Sequence, residues 1–152
     1  MDTRSGLRLY PYTVFLSLAF CAFIAAHYGF EILADICAGL PGIGESVYGL
    51  LPFSASRVFA NLILLFPFTL HACLAASLGK KNWDHAKLFF AAGCTILVGL
   101  FLMAHFDSAN AMIQKRWTAA ALSMGFLSLE CVPVLIVLGL LRLYLGCRIS
   151  PR

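Results

Sequence analysis

The sequence contains few charged residues and no long polar stretch. Eleven Lys and Arg residues and seven Asp and Glu residues make up 12% of the 152-residue chain, whereas 61% of the residues are hydrophobic. A water-soluble domain of this length needs more polar surface to cover its core. The basic residues form no cluster with aromatic residues in a polar segment, so no nucleic-acid partner is predicted. The composition indicates a protein that lies mostly in lipid.

Sequence signatures of catalysis are also lacking. The six cysteines include no CxxC pair, so neither a disulfide framework nor a thiol oxidoreductase is predicted. The chain has no nucleophile elbow, no phosphate-binding glycine loop and no metalloprotease motif. No motif requires a cofactor. These absences favour a protein without catalytic activity.

Four long apolar runs fill most of the chain, at residues 9–33, 58–78, 88–106 and 117–141. Each run is near the ~20 residues that a helix needs to cross a hydrocarbon layer of ~30 Å. The first run is too long for the apolar part of a signal peptide, and no cleavage site followed by a soluble domain is present. The sequence therefore predicts an all-α fold: one domain over residues 1–152, an integral membrane bundle of four transmembrane helices.

The basic residues indicate how this bundle is oriented. They lie before the first run, between the second and third, and after the fourth, whereas the first connection carries Glu31, Asp35 and Glu45. The positive-inside rule therefore predicts that both termini are cytoplasmic (N-in, C-in), in a plasma or bacterial inner membrane. The long connection at residues 35–56 is rich in Gly, Pro and apolar residues. It is predicted to lie along the outer interface, with a re-entrant pore loop as the alternative.

Glu130 is the most informative polar residue, because it lies about thirteen residues into the fourth run, close to the bilayer centre. A charge there costs roughly 3 kcal/mol, so the side chain must face the bundle interior or stay protonated. His71 lies thirteen residues into the second run and so at a similar depth. Pro67 and Pro133 lie nearby and are expected to kink their helices. The pair His71 and Glu130 is a candidate proton or solute site; the alternative is a polar contact that only holds the bundle together.

A second polar group is predicted near the outer boundary. His27 and Glu31 lie four residues apart on one face of the first helix, and His105 ends the third run and is followed by Asp107. His27 lies eighteen residues after residue 9, and His105 lies seventeen after residue 88, so their depths are nearly equal. Two imidazoles with nearby carboxylates are candidate ligands of zinc or copper, and two facing histidines are candidate axial ligands of a haem iron. Alternatively, these groups only extend to the headgroup layer, or they form a vestibule where a solute enters.

Three functions are compatible with these patterns. The leading hypothesis is a transport or channel module for a small solute, an ion or a lipid. One four-helix bundle is narrow, so this module is expected to act as a homo-oligomer or with a membrane-protein partner, and small residues four apart such as Ala121 and Gly125 allow close helix contact. The alternatives are an accessory or scaffold subunit of a larger membrane complex, and a membrane redox protein that binds haem or a metal.

Overall fold

The computed structural model describes residues 3–39 and 55–148, and this part of the chain consists of helices joined by short turns. The helices are α1 (Thr3–Ile24), α2 (Phe30–Cys37), α3 (Ala55–Gly79), α4 (Trp83–Ile113) and α5 (Trp117–Arg148). A π-helical turn, Ala25–Gly29, joins α1 to α2, and the residues that flank it keep right-handed helical backbone angles. These three pieces therefore form one continuous helix. The predicted outer loop lies mostly in residues 40–54, outside the described residues.

Four helical segments are long and apolar enough to cross a membrane: Tyr10–Cys37, Val58–Gly79, Trp83–Ile113 and Trp117–Arg148. Each of them contains most of one predicted apolar run. The all-α bundle of four membrane-spanning helices is therefore confirmed. The chain is a multi-pass integral membrane protein whose apolar helix surfaces contact the lipid bilayer.

Helix α4 extends beyond its apolar run, residues 88–106, at both ends. It begins at Trp83, where the Asn82 side chain caps the helix by accepting a hydrogen bond from the His85 N–H at 3.1 Å. It ends at Ile113, seven residues past the end of that run. Its 31 residues make a helix of about 46 Å, longer than the ~30 Å of hydrocarbon, so its end turns lie at the headgroup layers.

The packing order places two helices in the centre of the bundle. Helices α3 and α4 contact each other, and both contact α1 on one side and α5 on the other. Helix α2 packs on α4. Within the described residues α1 and α5 make no contact with each other. The bundle is therefore a diamond in cross-section, with α3 and α4 across its short diagonal.

The core of the bundle is made of aromatic and very small side chains. Phe68 and Phe101 are fully buried and meet edge to face with ring centroids 5.2 Å apart. Ala72, Ala75 and Ala76 on α3 are also fully buried. Lipid tails are as apolar as the core, so close packing and polar contacts, rather than the hydrophobic effect, hold such helices together. Small residues permit the close approach of the helices, and the aromatic rings fill the remaining space.

The outer surface is covered by large apolar side chains, as lipid contact requires. Leu88 is 73% exposed and Trp117 is 66% exposed. Pro67 and Pro133 lie inside α3 and α5, as predicted, and α1 contains a third helical proline, Pro11. Each of these prolines lacks a backbone N–H and so removes one hydrogen bond from its helix.

We name one end of the bundle the basic end: it consists of the start of α1, the turn Lys80–Asn82 and the end of α5. The Lys80 ammonium lies over the Tyr12 ring, 4.6 Å from its centroid. The Lys81 Nζ donates a hydrogen bond to the Gly146 carbonyl oxygen at 3.3 Å. These contacts tie the three segments together.

We name the opposite end the histidine end: it consists of the π turn, α2, the start of α3 and the turn at residues 114–116. That turn is closed by Lys115, whose φ of +57° is left-handed. The N–H groups of Lys115 and Arg116 donate to the carbonyl oxygens of Met112 and Ala111 at 2.9 and 2.8 Å. This is the Schellman pattern that commonly ends a helix, with lysine in the position where glycine is usual.

Candidate functional site

A direct contact between two histidines is the central polar feature of the histidine end. The His27 Nδ1 lies 3.3 Å from the His105 Nε2. The two side chains are only 8% and 5% exposed. One ring must donate the N–H of this hydrogen bond while the other accepts it with a lone pair. The pair therefore cannot keep this bond with both rings fully protonated, because two N–H groups would then face each other.

Aromatic rings and the π turn hold His27 in place. The Phe23 ring stacks on His27 with centroids 5.5 Å apart, and the Phe101 ring meets it edge to face at 6.3 Å. His27 is the middle residue of the turn Ala25–Gly29. A π turn is rare and frequent at functional sites, since it widens the helix locally and re-aims the side chains it carries. Here it directs an imidazole towards α4.

Asn61 and Tyr28 extend the polar group onto α3. The Asn61 Nδ2 donates a hydrogen bond to the Tyr28 hydroxyl at 2.9 Å, and Asn61 and His27 line the same cavity. Neither residue was singled out from the sequence. The signal was present, because Asn61 is the single carboxamide in the apolar run 58–78.

A cavity of about 500 Å³ opens beside these residues, between the first continuous helix and α3. Its polar side is formed by His27, Tyr28, Glu31 and Asn61, and the rest of its lining is almost entirely apolar, including Met124 of α5. Sites for small molecules have this size and this composition, with a few polar groups set in an apolar wall. The polar side can fix the orientation of a ligand, and the apolar wall can take its hydrocarbon part.

The four predicted metal ligands do not come together as one set. Glu31 lines the same cavity as His27. Asp107 is exposed and follows His105 by two residues, which places it about 200° around the helix from that histidine. Among residues 3–39 and 55–148, no three His, Cys, Asp or Glu side chains are close enough to hold one metal ion. His27 and His105 are thus the two of the four that the fold brings into contact.

A haem does not fit between these two rings. With metal–nitrogen bonds of about 2 Å, two axial ligands on opposite sides of one iron have nitrogens about 4 Å apart. The His27 and His105 nitrogens are 3.3 Å apart and their ring centroids 5.3 Å apart. The rings are in direct contact, so no porphyrin plane can pass between them.

His71 is fully buried at the contact between α3 and α4. Its Nε2–H donates to the Phe90 carbonyl oxygen at 3.0 Å, and its ring lies parallel to the Phe90 ring at 5.5 Å. Gly93 provides the space for the ring, because a Cβ at that position would overlap His71 atoms. The His71 Nδ1 is buried with no hydrogen-bond partner among the described residues. The imidazole therefore acts as a tight polar contact between two central helices.

Glu130 does not contact His71. It is exposed on the outer surface of α5, close to the exposed apolar side chains of Phe126 and Val137. Within the described part of the chain no hydrogen bond or ion pair joins the two. The depth count placed them at one level of the bundle, but depth does not determine the direction in which a side chain points.

The histidine end thus combines a hydrogen-bonded imidazole pair with a cavity of ligand size. Such an arrangement can bind an amphipathic molecule, and it can gain or lose a proton next to that molecule. Comparisons with protein-family models, with curated proteins and with solved structures found no match to this chain.

Proposed function

We propose that this protein binds a small amphipathic solute or lipid in the cavity at the histidine end and moves it through the membrane together with a proton. The observation that carries the proposal is the His27–His105 pair, buried and hydrogen-bonded, with His27 in the wall of a cavity of about 500 Å³. The apolar side of the cavity accommodates hydrocarbon. Tyr28, Glu31 and Asn61 bind the polar part of the ligand.

The proton step belongs to the histidine pair. The nitrogens that face each other, His27 Nδ1 and His105 Nε2, share one N–H. The outer nitrogen of the accepting ring therefore already carries a proton, and the outer nitrogen of the donating ring has the lone pair that can take up another one. A positive charge gained there interacts strongly with nearby charges because the site has a low dielectric constant, and it changes the affinity of the cavity for an anionic or polar ligand. His71 and Glu130, the other candidate proton carriers, face different surroundings and do not form a relay with each other.

Proton and lipid flux in liposomes tests this proposal. Full-length protein is reconstituted with an internal pH dye under an imposed pH gradient, and the transfer of a fluorescent phospholipid between leaflets is measured in parallel. We expect His105→Gln to reduce the flux at least tenfold, since glutamine keeps a hydrogen bond but does not titrate. The matched control is His85→Gln at the exposed His85, which should leave flux unchanged. Equal fluxes for the His105 variant and the wild type would contradict the proposal.

A metal bound by the same pair is a second candidate, favoured by one distance. Tetrahedral zinc with bonds of 2.0–2.1 Å to nitrogen has about 3.3–3.4 Å between two ligand atoms, and the two histidine nitrogens are 3.3 Å apart. The test is the metal content and visible spectrum of the purified protein after incubation with Zn²⁺, Cu²⁺ or Co²⁺. Stoichiometric metal that is lost in His105→Gln supports this candidate; a folded, metal-free wild type contradicts it.

A homo-oligomer is the assembly that the outer face of α5 supports best. Glu130, Ala121 and Gly125 are all exposed on this helix. A carboxyl group facing lipid near the bilayer centre is unfavourable, and small residues four apart permit close contact with another helix. Glu130→Leu should therefore shift the mass distribution in detergent from oligomer to monomer. If the protein serves only as a scaffold, this variant will change assembly while the wild type shows no flux at all.

We propose that the basic end is cytoplasmic and that the membrane is a plasma or bacterial inner membrane. Seven Lys and Arg residues of the described ranges lie at this end, against the single described carboxylate of Asp84, as the positive-inside rule requires. Cys37 and Cys147 are exposed near opposite ends and serve as natural reporters in single-cysteine variants. A membrane-impermeant maleimide should label Cys37 in intact cells and Cys147 only after permeabilisation. The reverse pattern would refute this orientation.

A further inference from the structure

A second groove lies towards the basic end, whereas the first cavity lies at the histidine end. It runs between α3 and α5 and has a volume of about 530 Å³. Its wall includes Cys73, Leu74 and Leu140, and Gly139 leaves its surface open because nothing lies within 4 Å of where a Cβ would be. Ser77 and Arg142 are the polar residues of the groove. The groove is thus a channel for hydrocarbon with a polar group at one end.

Arg142 is held in a defined position at the polar end of this groove. Its Nε donates a hydrogen bond to the Ser77 hydroxyl at 2.9 Å, and the Ser77 hydroxyl in turn donates to the Leu74 carbonyl oxygen at 2.6 Å. Of the five N–H groups of a guanidinium, the four on the Nη atoms have no hydrogen bond to a described residue. A half-buried arginine that is fixed through Nε presents the remaining edge of the guanidinium to a ligand. That edge matches two oxygens of a phosphate.

The charge around the groove favours an anion. The Lys and Arg residues of the described ranges at this end are Arg4, Arg8, Lys80, Lys81, Lys87, Arg142 and Arg148, and the one carboxylate described there, Asp84, is paired with Lys87 at 3.1 Å. Juxtamembrane basic residues attract anionic lipid, each contributing about 1 kcal/mol near the surface. A ligand here therefore has a negative headgroup at the level of Arg142.

We infer that this groove binds one anionic phospholipid. An acyl chain lies along the wall formed by Leu74, Gly139 and Leu140, and the phosphate accepts hydrogen bonds from the Arg142 guanidinium. The site binds both a charged headgroup and an acyl chain, so an anionic phospholipid should bind better than a ligand that has only one of them. A zwitterionic lipid has less net charge for Arg142, and inorganic phosphate has no chain for the groove. The inference is independent of the proposed transport activity, because the two cavities lie at opposite ends of the bundle.

Native mass spectrometry of the full-length protein tests the inference. The protein in detergent is titrated with dioleoylphosphatidylglycerol, with dioleoylphosphatidylcholine or with inorganic phosphate, and the retained ligand is counted. We expect the first molecule of phosphatidylglycerol to bind at least tenfold more tightly than phosphatidylcholine. Arg142→Gln should abolish this preference, and Gly139→Leu should weaken binding because the leucine side chain occupies part of the groove.

The matched control is Gly99→Leu on α4, where a Cβ also meets nothing within 4 Å, and it should bind phosphatidylglycerol as the wild type does. Equal affinity of the wild type for both lipids would overturn the inference, and so would unchanged binding in Gly139→Leu. Millimolar phosphate that displaces the lipid would show a site for a free anion instead and would also overturn it. The wild-type preference between the two lipids is informative even if Arg142→Gln does not fold.

Discussion

Replacing Gly93 with alanine is expected to separate the two central helices. A Cβ at this position would overlap the Cε1 and Nε2 atoms of His71 and would lie 2.9 Å from its Nδ1. The imidazole has no room to move, because it is 0% exposed, stacked on Phe90 and in contact with the Phe89 ring at 5.1 Å. The added methyl group must therefore displace either the ring or the helix backbone.

The expected loss of stability follows from three contributions. Overpacking a well-packed core costs about 1–3 kcal/mol, and displacing the ring sacrifices the hydrogen bond from His71 to the Phe90 carbonyl, worth about 1 kcal/mol. Alanine regains about 1 kcal/mol over glycine through helix propensity. Gly99→Ala on the same helix receives only this propensity gain, because a Cβ there meets nothing within 4 Å. Gly93→Ala should therefore be about 2–4 kcal/mol less stable than Gly99→Ala.

Unfolding in mixed micelles by titration with sodium dodecyl sulfate measures this difference. Tryptophan fluorescence is a suitable signal, because the Trp83 ring contacts the core residue Phe15 at 5.2 Å. In a His71→Ala background the two alanine variants should have the same stability, since the clash is gone. If Gly93→Ala and Gly99→Ala differ by less than about 0.5 kcal/mol in the wild-type background, the tight contact between Gly93 and His71 does not exist in the membrane protein.

Three further substitutions test other parts of the fold by the same unfolding measurement. Asn82→Ala should lower the free energy of unfolding by about 1 kcal/mol, because the first turn of α4 loses its cap. Asn82→Asp should restore the wild-type stability, and an alanine variant as stable as the wild type would contradict the cap. Phe101→Ala should cost about 3–5 kcal/mol through the cavity it leaves. Leu88→Ala, on the lipid-facing side of the same helix, should cost far less. Equal losses of stability in the two variants would place Phe101 outside the core. Tyr28→Phe should cost about 1 kcal/mol, because it removes the acceptor for the Asn61 amide. In an Asn61→Ala background the hydrogen bond is already lost, so adding Tyr28→Phe should cause no further change.

The spans of the bundle were predictable because lipid acts directly on composition. A helix that crosses hydrocarbon needs about 20 apolar residues, and hydropathy therefore located all four spans. The helix ends were less predictable. Helix α4 continues through Asp107 and Asn110 to Ile113, since polar residues in the headgroup layer are compatible with helix and no breaker interrupts them. Hydropathy reports where a helix leaves the hydrocarbon, whereas hydrogen bonds and caps determine where it ends.

For the candidate site, the sequence predicted only the depth of each residue in the membrane. Counting residues placed His27 and His105 at one level, and the packing of the first continuous helix on α4 puts their rings in contact. The same kind of count placed His71 level with Glu130, yet Glu130 faces outward from the bundle. Which helices are neighbours, and which face each turns inward, follows from three-dimensional packing that no count along one chain contains.

The π turn also shifts the pattern of buried residues between the two halves of the first span. It inserts one residue into an otherwise regular helix, which rotates everything after it by about 100°. With that residue discounted, Ala34 lies about 18 steps beyond Phe15, five whole turns of α-helix, and both side chains are 2% exposed. If the whole span were a regular α-helix, Ala34 would lie about 100° away from the buried face. A homologous chain that lacks the turn is expected to align to this one with a one-residue gap between Phe23 and Phe30.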